Sequence, residues 1–267
     1  MASNKHLCSL LETARKHSFA PITGYHVGTV VLTDQNEIYL GANIEIMDCG
    51  LGQSIHAEQS AIIRVLHKGQ AVKKIAVQKA PCAFCRQFMA ELHNAFKIEI
   101  LLPDNTNLSL NELYPLPFHP LDLEISAIPP FNSKWQIVNK EPLNLLEQSV
   151  KDLLIKRFSI SHSPYTNSPG AVVLQTKSGQ IYGGSYFENV AFNPSVEPIR
   201  SALVELVHNG GNMQEIVKVF CLKTNGRNVD HVKTMQLFLS TLKNTVEVTT
   251  IEVEARSIAE LCVTMTN

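Results

Sequence analysis

The sequence predicts an α/β protein that consists of two similar domains, each with a mixed sheet packed against helices. The first observation behind this prediction is an internal repeat: EIYLGANIE at 37–45 recurs as QIYGGSYFE at 180–188. The second is that strand-like apolar stretches precede a helix-like periodic segment in each half. Because the copies lie too far apart for a solenoid period, we interpret the repeat as the duplication of a whole domain.

The elements of the first domain follow from local residue patterns. Two stretches rich in β-branched residues flank the turn at 34–36, which is typical of a β-hairpin. Gly69 is a stop signal for the helix before it, and Pro81 is tolerated at the entry of the next helix. The predicted helices are 7–17, 56–67 and 82–95, and the predicted strands are 26–33, 37–42, 74–78 and 97–102. This order of elements predicts a mixed sheet with helices against it.

The second domain follows from the same patterns. A helix at 145–158 corresponds to the first helix, and an apolar segment at 200–207 ends before Gly210. The stretch 115–142 is rich in proline and has little periodic pattern, so it is the natural place for a linker. The predicted organisation is a first domain at 1–130, a linker at 131–142 and a second domain at 143–267.

The composition is that of an ordinary globular protein, and it limits the classes of partner. Of the 267 residues, 45% are hydrophobic and 18% are charged, and the formal net charge is -1. Lys and Arg are scattered, which argues for a small substrate and against a general nucleic-acid binder. The start of the chain lacks the apolar core of a signal peptide, and no apolar run approaches the roughly 20 residues of a membrane span. We therefore expect a cytoplasmic protein with neither a nucleic-acid nor a membrane partner.

Two short motifs in the first half carry most of the functional information. HAE at 56–58 is followed by PCAFC at 81–85, and this H-x-E then P-C-x-x-C pattern is typical of zinc-dependent nucleobase deaminases. His56, Cys82 and Cys85 are suitable zinc ligands, and three ligands leave the fourth tetrahedral position open for water, as in catalytic sites. The sequence therefore predicts a catalytic zinc ion, with Glu58 as a carboxylate that is not a ligand.

The spacing of these residues suits that chemistry. Cys82 and Cys85 lie three apart at the start of a predicted helix, so both sulfurs can reach one ion. The positive end of the helix dipole favours their thiolates. Zinc acidifies its bound water, so that hydroxide is available near neutral pH. Glu58 is placed to take the proton of that water and to pass it to the ring nitrogen and the leaving amine.

Other interpretations of the motifs stay open. A lone C-x-x-C can be a metal site, a redox pair or a coincidence, and a lone H-x-E carries almost no information. A redox pair is the main competitor, but it gives no role to His56 or Glu58. In the second half, Glu197 and Ile199 take the places of these two residues, and no P-C-x-x-C follows. We therefore expect one zinc ion per chain, held in the first domain.

The segments GANIE at 41–45, HAEQSA at 56–61 and PCAFCRQFMAEL at 81–92 resemble the cytidine deaminase family. More specifically, they resemble its long, two-domain, homodimeric bacterial form, which has a His-Cys-Cys zinc site and a degenerate C-terminal copy. The resemblance covers nearly the whole chain. It implies a three-layer α-β-α cytidine deaminase-like fold with a mixed sheet, duplicated into a catalytic and a degenerate copy. It also implies a homodimer.

The resemblance also implies a set of substrate-binding residues. Asn43 and Glu45 match family residues that hydrogen-bond the ribose hydroxyls, and Tyr25 matches an aromatic residue beside the nucleoside. In the family the C-terminal domain of the partner subunit helps to close the pocket, and Phe192 is the expected contact. Ala57 completes the predicted set. Without the resemblance, Asn43 and Glu45 would be interpreted as a strand-end turn and a solvated carboxylate.

Three departures from the family pattern involve four positions. Tyr25 replaces a usual Phe, Lys79 and Ala80 stand where the long form tends to have Tyr and Thr, and Ala83 replaces a common Gly. None of them is a predicted ligand or the predicted catalytic carboxylate. Lys79 could change the contacts near the ribose 5′ end, so the tolerance of a 5′-phosphate stays open.

The leading hypothesis is hydrolytic deamination of cytidine and deoxycytidine to uridine and deoxyuridine, with release of ammonia, in pyrimidine salvage. In this hypothesis zinc-bound hydroxide attacks C4, and Glu58 shuttles the protons. The first alternative is a tRNA adenosine or deoxycytidylate deaminase with the same zinc motif, although the degenerate second domain and the lack of basic stretches argue against it. The second is a non-catalytic zinc module, which would have no use for Glu58.

Overall fold

A five-stranded mixed sheet lies at the centre of the first of two structural units. The computed structural model describes residues 2–125, 134–226 and 228–258. The first unit contains the described residues up to 125 together with Asn189–Pro194, and the second unit contains the others. The strands of the first unit are β1 (Gly28–Thr33), β2 (Ile38–Ala42), β3 (Val72–Val77), β4 (Glu99–Leu101) and β5 (Asn107–Ser109). Their order is β2-β1-β3-β4-β5, in which β3 and β4 are parallel and the other neighbours are antiparallel.

Several helices of the first unit begin at side chains that cap their free N–H groups. The side chain of Ser3 accepts a hydrogen bond from the backbone N–H of His6, and Ser109 and Glu112 form a reciprocal capping box. The helices are α1 (Asn4–Ser9), α2 (Leu11–Arg15), α3 (Ala57–Leu66), α4 (Ala83–Ala90) and α5 (Leu110–Leu113).

Two glycines show that helices cover both faces of this sheet. A Cβ atom at Gly28 would lie 2.5 Å from the backbone of α2, and one at Gly41 would lie 2.3 Å from the backbone nitrogen of Ala61 in α3. Gly28 is paired with Ala42, the neighbour of Gly41, so the two glycines face opposite sides of the sheet. Helices α2 and α3 therefore lie on opposite faces of the sheet, which gives the three layers that the family resemblance implies. The apolar residues packed together on the α1–α2 side are Leu7, Leu11, Ala14, Val30, Leu32, Ala76 and Leu101.

The structure differs from the predicted elements of the first domain at three places. The helix predicted at 7–17 is two short helices, because the N–H of Leu10 donates to the carbonyl of Leu7 and tightens the turn between them. The helix predicted at 82–95 ends at Ala90, because the N–H groups of Glu91 and Leu92 donate to the carbonyls of Phe88 and Met89 and tighten the last turn. The short elements β5 and α5 were not predicted, because neither contains a full period of its pattern.

The second unit repeats the sheet of the first. Its strands are β6 (Trp135–Ile137), β7 (Gly170–Thr176), β8 (Ile181–Ser185), β9 (Ile216–Thr224), β10 (Glu247–Val253) and β11 (Ala255–Ser257). Its helices are α6 (Gln148–Ser159), α7 (Pro198–His208) and α8 (His231–Leu239). The order β10-β9-β7-β8 matches β4-β3-β1-β2, with β9 and β10 parallel. The repeated order confirms the duplication. None of the helices in the described parts of the chain is both long and apolar enough to cross a membrane.

Part of the segment predicted as a linker is folded. Trp135 and Ile137 in β6 are buried in the core of the second unit, where β6 pairs with β11. Residues 131–133, at the start of the predicted linker, lie outside the described residues. The position of the boundary between the domains stays a prediction.

The close approach of α3 to β2 makes Gly41 a sensitive position. We expect Gly41→Ala to lower the free energy of unfolding by about 1–3 kcal/mol, because its Cβ would overlap the helix backbone and force the layers apart. Urea unfolding measures this change. Gly50→Ala is the matched control, since no atom lies within 4 Å of the added Cβ. Equal stability of the two variants would contradict this account of the packing.

Candidate metal centre and substrate pocket

The three predicted metal ligands meet at the N-terminal ends of two helices. His56 is the N-cap of α3, Cys82 is the N-cap of α4, and Cys85 lies in the first turn of α4. The Nδ1 atom of His56 is 3.5 Å from the Sγ atom of Cys82 and 3.3 Å from that of Cys85. All three ligand atoms lie within 4.8 Å of one another. The structure thus brings together residues that are distant in sequence.

The backbone at the two caps explains this convergence. His56 (ψ 152°) and Cys82 (ψ 166°) are extended, as N-cap residues usually are, and the helix begins at the next residue. Each side chain therefore projects beside the end of its helix rather than along its flank. The backbone N–H of His56 donates to the Oε1 atom of Gln59 at 3.4 Å, which fixes the entry to α3.

The sulfur atoms are already arranged as a ligand pair. The hydrogen bond from Cys85, followed by that from His56, lowers the pKa of the Cys82 thiol to about 3. The hydrogen bond to Cys82 and burial raise the pKa of Cys85. The lowered pKa of the exposed Cys82 thiol favours the thiolate, which is the form that binds a metal cation.

The donor set fits zinc. One imidazole nitrogen and two sulfurs are typical ligands of this ion, and tetrahedral geometry with the usual bond lengths separates N from S by about 3.5 Å. The observed separations of 3.5 and 3.3 Å agree with that value. Within the described residues, this is the group of His, Cys, Asp and Glu side chains placed to hold a metal. Three donors leave one coordination position open.

Glu58 lies next to this centre in the first turn of α3. Its side chain is almost wholly buried, with 8% of the residue exposed. Burial raises the pKa of the carboxyl group above its ordinary value, although the charge of nearby His56 acts in the opposite direction. A carboxyl group with a raised pKa can accept a proton and release it again near neutral pH.

The metal centre opens into a cavity of about 410 Å³ in the first unit. A cavity of this size can enclose a small organic molecule such as a nucleoside. It is lined by Thr23, Tyr25, Val27, Asn43, Glu45, Leu51, Ser54, Ile55, His56, Ala57, Glu58, Gln78, Lys79, Ala80 and Cys82. All the predicted site residues except Cys85 and Phe192 therefore line one cavity. Cys85 is fully buried.

Asn43 is held in place by the chain around it. Its Oδ1 atom accepts hydrogen bonds from the Oγ of Ser18 at 2.6 Å and the N–H of Val27 at 2.8 Å. Its Nδ2 atom donates to the carbonyl of Tyr25 at 2.8 Å. An amide nitrogen carries two protons, so Asn43 keeps one donor for a ligand.

Glu45 holds the chain at Ile22 and Thr23. It accepts the backbone N–H groups of Ile22 at 2.8 Å and Thr23 at 3.0 Å, and the Oγ1 of Thr23 at 2.5 Å. Burial would raise the pKa of Glu45, but these hydrogen bonds outweigh it and lower the pKa below its ordinary value. Glu45 is therefore an anion with acceptor capacity left on one oxygen.

Phe192 lies outside the lining of the cavity. It belongs to Asn189–Pro194, which the structure places with the first unit. Its backbone is left-handed (φ 61°) and 60% of the residue is exposed. The ring is therefore accessible at the surface of the first unit.

Several lining residues were not predicted from the sequence. Gln78 accepts the backbone N–H of Gly28 at 3.1 Å through its Oε1 atom and joins the ends of β3 and β1. Thr23 could have been found, because Thr166 occupies the same place in the second copy and also bonds to the matching carboxylate, Glu188. The other residues that were missed are Val27, Leu51, Ser54 and Ile55, which carry no motif.

The sequence matches known proteins over both halves. Two models of the "cytidine and deoxycytidylate deaminase zinc-binding region" match residues 1–99 and 110–236. The cytidine deaminase of Vibrio parahaemolyticus is 35% identical over 92% of this chain and 82% of its own length. The cytidine deaminase of Vibrio cholerae is 36% identical over 88% of this chain and 78% of its own length. That of Shewanella pealeana is 34% identical over 84% of this chain and 75% of its own length.

The chain belongs to the cytidine deaminase family. Within the family it is a long, two-domain cytidine deaminase, because both halves match and the relatives align over most of their length. The likeness agrees with the geometry, since the residues that could hold a metal and those that line the cavity all lie in the region 1–99 matched by one of the models.

The second copy of this cytidine deaminase has replaced the metal chemistry. Glu197 is the N-cap of α7, as His56 is of α3, and it forms an ion pair with Arg200 at 3.0 Å. Tyr186 takes the place of Asn43 and packs edge-on against the buried His231, with ring centroids 4.6 Å apart.

We therefore expect one equivalent of zinc per chain. His56, Cys82 and Cys85 form the metal group found in the described residues, so a Cys82→Ala/Cys85→Ala double variant should lose nearly all of the metal. Elemental analysis of the purified protein measures the ratio. Two equivalents in the wild type, or full zinc content in the double variant, would show that another site holds the ion.

Proposed function

We infer that this protein is a zinc-dependent cytidine deaminase that hydrolyses cytidine and deoxycytidine to uridine and deoxyuridine. The observation that carries the inference is a His-Cys-Cys group beside a buried glutamate, opening into a cavity of nucleoside size. In the reaction the C4–N bond of the base breaks, a C4–O bond forms from water, and ammonia leaves. Zinc, when bound, acidifies water so that a hydroxide nucleophile is available near neutral pH.

We propose that Glu58 carries the protons of this reaction. The carboxylate takes one proton from the attacking water and delivers it to N3 of the base. It then takes the second proton of that water, from the new hydroxyl group at C4, and delivers it to the leaving amine. Burial favours this role because it brings the pKa of Glu58 towards neutrality. The burial of Glu58 also limits the contact of bulk water with its carboxyl group.

We propose that Asn43 and Glu45 bind the sugar. Asn43 keeps one unused donor and Glu45 keeps acceptor capacity, so the two side chains complement adjacent hydroxyl groups that both donate and accept. Tyr25 lies at the rim with 64% of its surface exposed, which suits an aromatic side chain that packs against the nucleoside. Ala57, at the first position of α3, offers a small side chain in the wall beside the base.

Deamination of a nucleoside monophosphate is the second candidate activity. Lys79 is exposed and lines the cavity, so its ammonium group could neutralise a 5′-phosphate. Assays with cytidine, deoxycytidine and deoxycytidylate decide between the two. The first candidate predicts the highest kcat/KM for the free nucleosides, and Lys79→Met should then leave that value nearly unchanged.

We also propose that the enzyme acts in pyrimidine salvage as a cytoplasmic homodimer. The resemblance to the homodimeric long form supports the dimer. The described cysteines are all free, which suits a reducing compartment.

Glu58→Gln tests the catalytic assignment. The amide has the size of the carboxylate but cannot accept the proton of water, so kcat should fall by at least about 10²-fold. Zinc content and the far-ultraviolet circular dichroism spectrum should match those of the wild type. Near-normal turnover in this variant would show that another group moves the proton.

Phe192→Ala tests whether the exposed ring closes the cavity of a partner subunit. Loss of an aromatic contact with the substrate should raise KM about three- to tenfold, with little change in melting temperature, because the ring does not fill a core. Mixed dimers of a Glu58→Gln chain and a Phe192→Ala chain should contain one intact site. If such mixtures are no more active than the two parent variants, the ring does not act across the subunit interface.

A further inference from the structure

The segment Asn189–Pro194 bonds to both helices that bear the metal-binding side chains. It comes from the second half of the sequence but belongs to the first structural unit. Its contacts reach α3 through Gln59 and α4 through Gln87 and Glu91. No sequence motif indicated these contacts, and the deamination chemistry does not require them.

The contact with α3 passes through one buried amide. Gln59 is fully buried, and its Nε2 atom donates to the carbonyl of Pro194 at 3.1 Å. Its Oε1 atom accepts the backbone N–H of His56 at 3.4 Å. An amide side chain can donate and accept at the same time. Gln59 therefore links the segment directly to the residue that supplies the imidazole.

The contacts with α4 lie along the helix that carries both cysteines. The Nδ2 atom of Asn189, which is fully buried, donates to the carbonyl of Gln87 at 3.0 Å. The N–H of Val190 donates to the Oε2 atom of Glu91, the C-cap of α4, at 3.0 Å. Gln87 is two residues beyond Cys85, so these bonds hold the body of the helix close to its metal-binding turn.

Hydrogen bonds within the segment also close it into a turn. The N–H of Ala191 donates to the Oδ1 atom of Asn189 at 3.0 Å, and the N–H of Phe192 donates to the carbonyl of Asn189 at 2.8 Å. A turn stabilised in this way does not stretch easily between its attachments. It can therefore hold two helices at a fixed separation.

We propose that Asn189–Pro194 is a brace that positions His56 relative to Cys82 and Cys85 and so slows the loss of zinc. The imidazole comes from α3 and both sulfurs come from α4, and a zinc site tolerates errors of only about 0.2 Å in its ligand distances. Gln59, Asn189 and Glu91 are positioning residues in this scheme, because they act through the helices and touch neither metal nor substrate. The proposal rests on the zinc centre inferred above.

The test is the rate at which zinc leaves the protein. Each variant is loaded with one equivalent of zinc and mixed with an excess of a coloured chelator, and the absorbance is followed. Glu91→Met removes the acceptor for Val190, whereas Glu91→Gln keeps one. Asn189→Ser keeps a hydroxyl for Ala191 but is too short to reach Gln87. We expect Glu91→Met and Asn189→Ser to release zinc about tenfold faster than the wild type, at the low end of outer-shell effects on metal sites.

Two comparisons separate positioning from a general loss of stability. Glu91→Gln should release zinc at the wild-type rate. Val30→Ala creates a cavity on the other face of the sheet, so it should lower the melting temperature and leave the release rate unchanged. The brace would be overturned if Glu91→Met and Asn189→Ser released zinc at the wild-type rate. It would also be overturned if Val30→Ala, at the same loss of melting temperature as these two variants, accelerated zinc release as much as they do. A wild type that takes up no zinc would overturn the metal centre instead, which is a distinct result.

Discussion

The site depends on the meeting of two helix N-termini at one end of the first sheet. His56 and Cys82 occupy equivalent cap positions, so their side chains approach from different helices and need no long loop to converge. The free N–H groups and the positive dipole at this end favour an anionic sulfur. Gly41 allows α3 to approach β2 closely enough to carry His56 and Glu58 to this place. The positive potential at the metal centre thus depends on how closely the helices pack against the sheet.

A comparison of the two copies shows which residues the fold requires and which residues only the metal site requires. Gly184 repeats the close approach of Gly41, because a Cβ there would lie 2.2 Å from the backbone nitrogen of Ala202 in α7. The N-cap position also recurs at Glu197. What changed are the groups that react, since Glu197 pairs with Arg200 where the first copy has a metal ligand. A duplicated scaffold can therefore keep its backbone constraints after the metal-binding side chains are gone.

The sequence was most informative where function depends on local spacing. Cys82 and Cys85 are one helical turn apart, and His56 and Glu58 flank a helix start, so their arrangement could be predicted from a few residues. Gln78 and Gln59 could not be found in this way, because their partners are Gly28 and Pro194, far away in the sequence. The end of α4 was also missed, because no motif in the sequence marks the tightened turn at Glu91 and Leu92. Long-range hydrogen bonds leave no periodic pattern in either participant.

The loop held by Glu45 has a consequence for molecular recognition. Its three hydrogen bonds, two from Thr23 and one from Ile22, immobilise the carboxylate during folding. A hydroxyl group that binds there meets an acceptor whose conformational entropy has already been lost, so association does not have to order it. In the second copy, Glu188 makes the same bonds to Tyr165 and Thr166, yet burial raises its pKa. The same set of hydrogen bonds thus has two roles. In the first copy it preorganises a carboxylate that lines a cavity, and in the second copy it stabilises the buried interior of the domain.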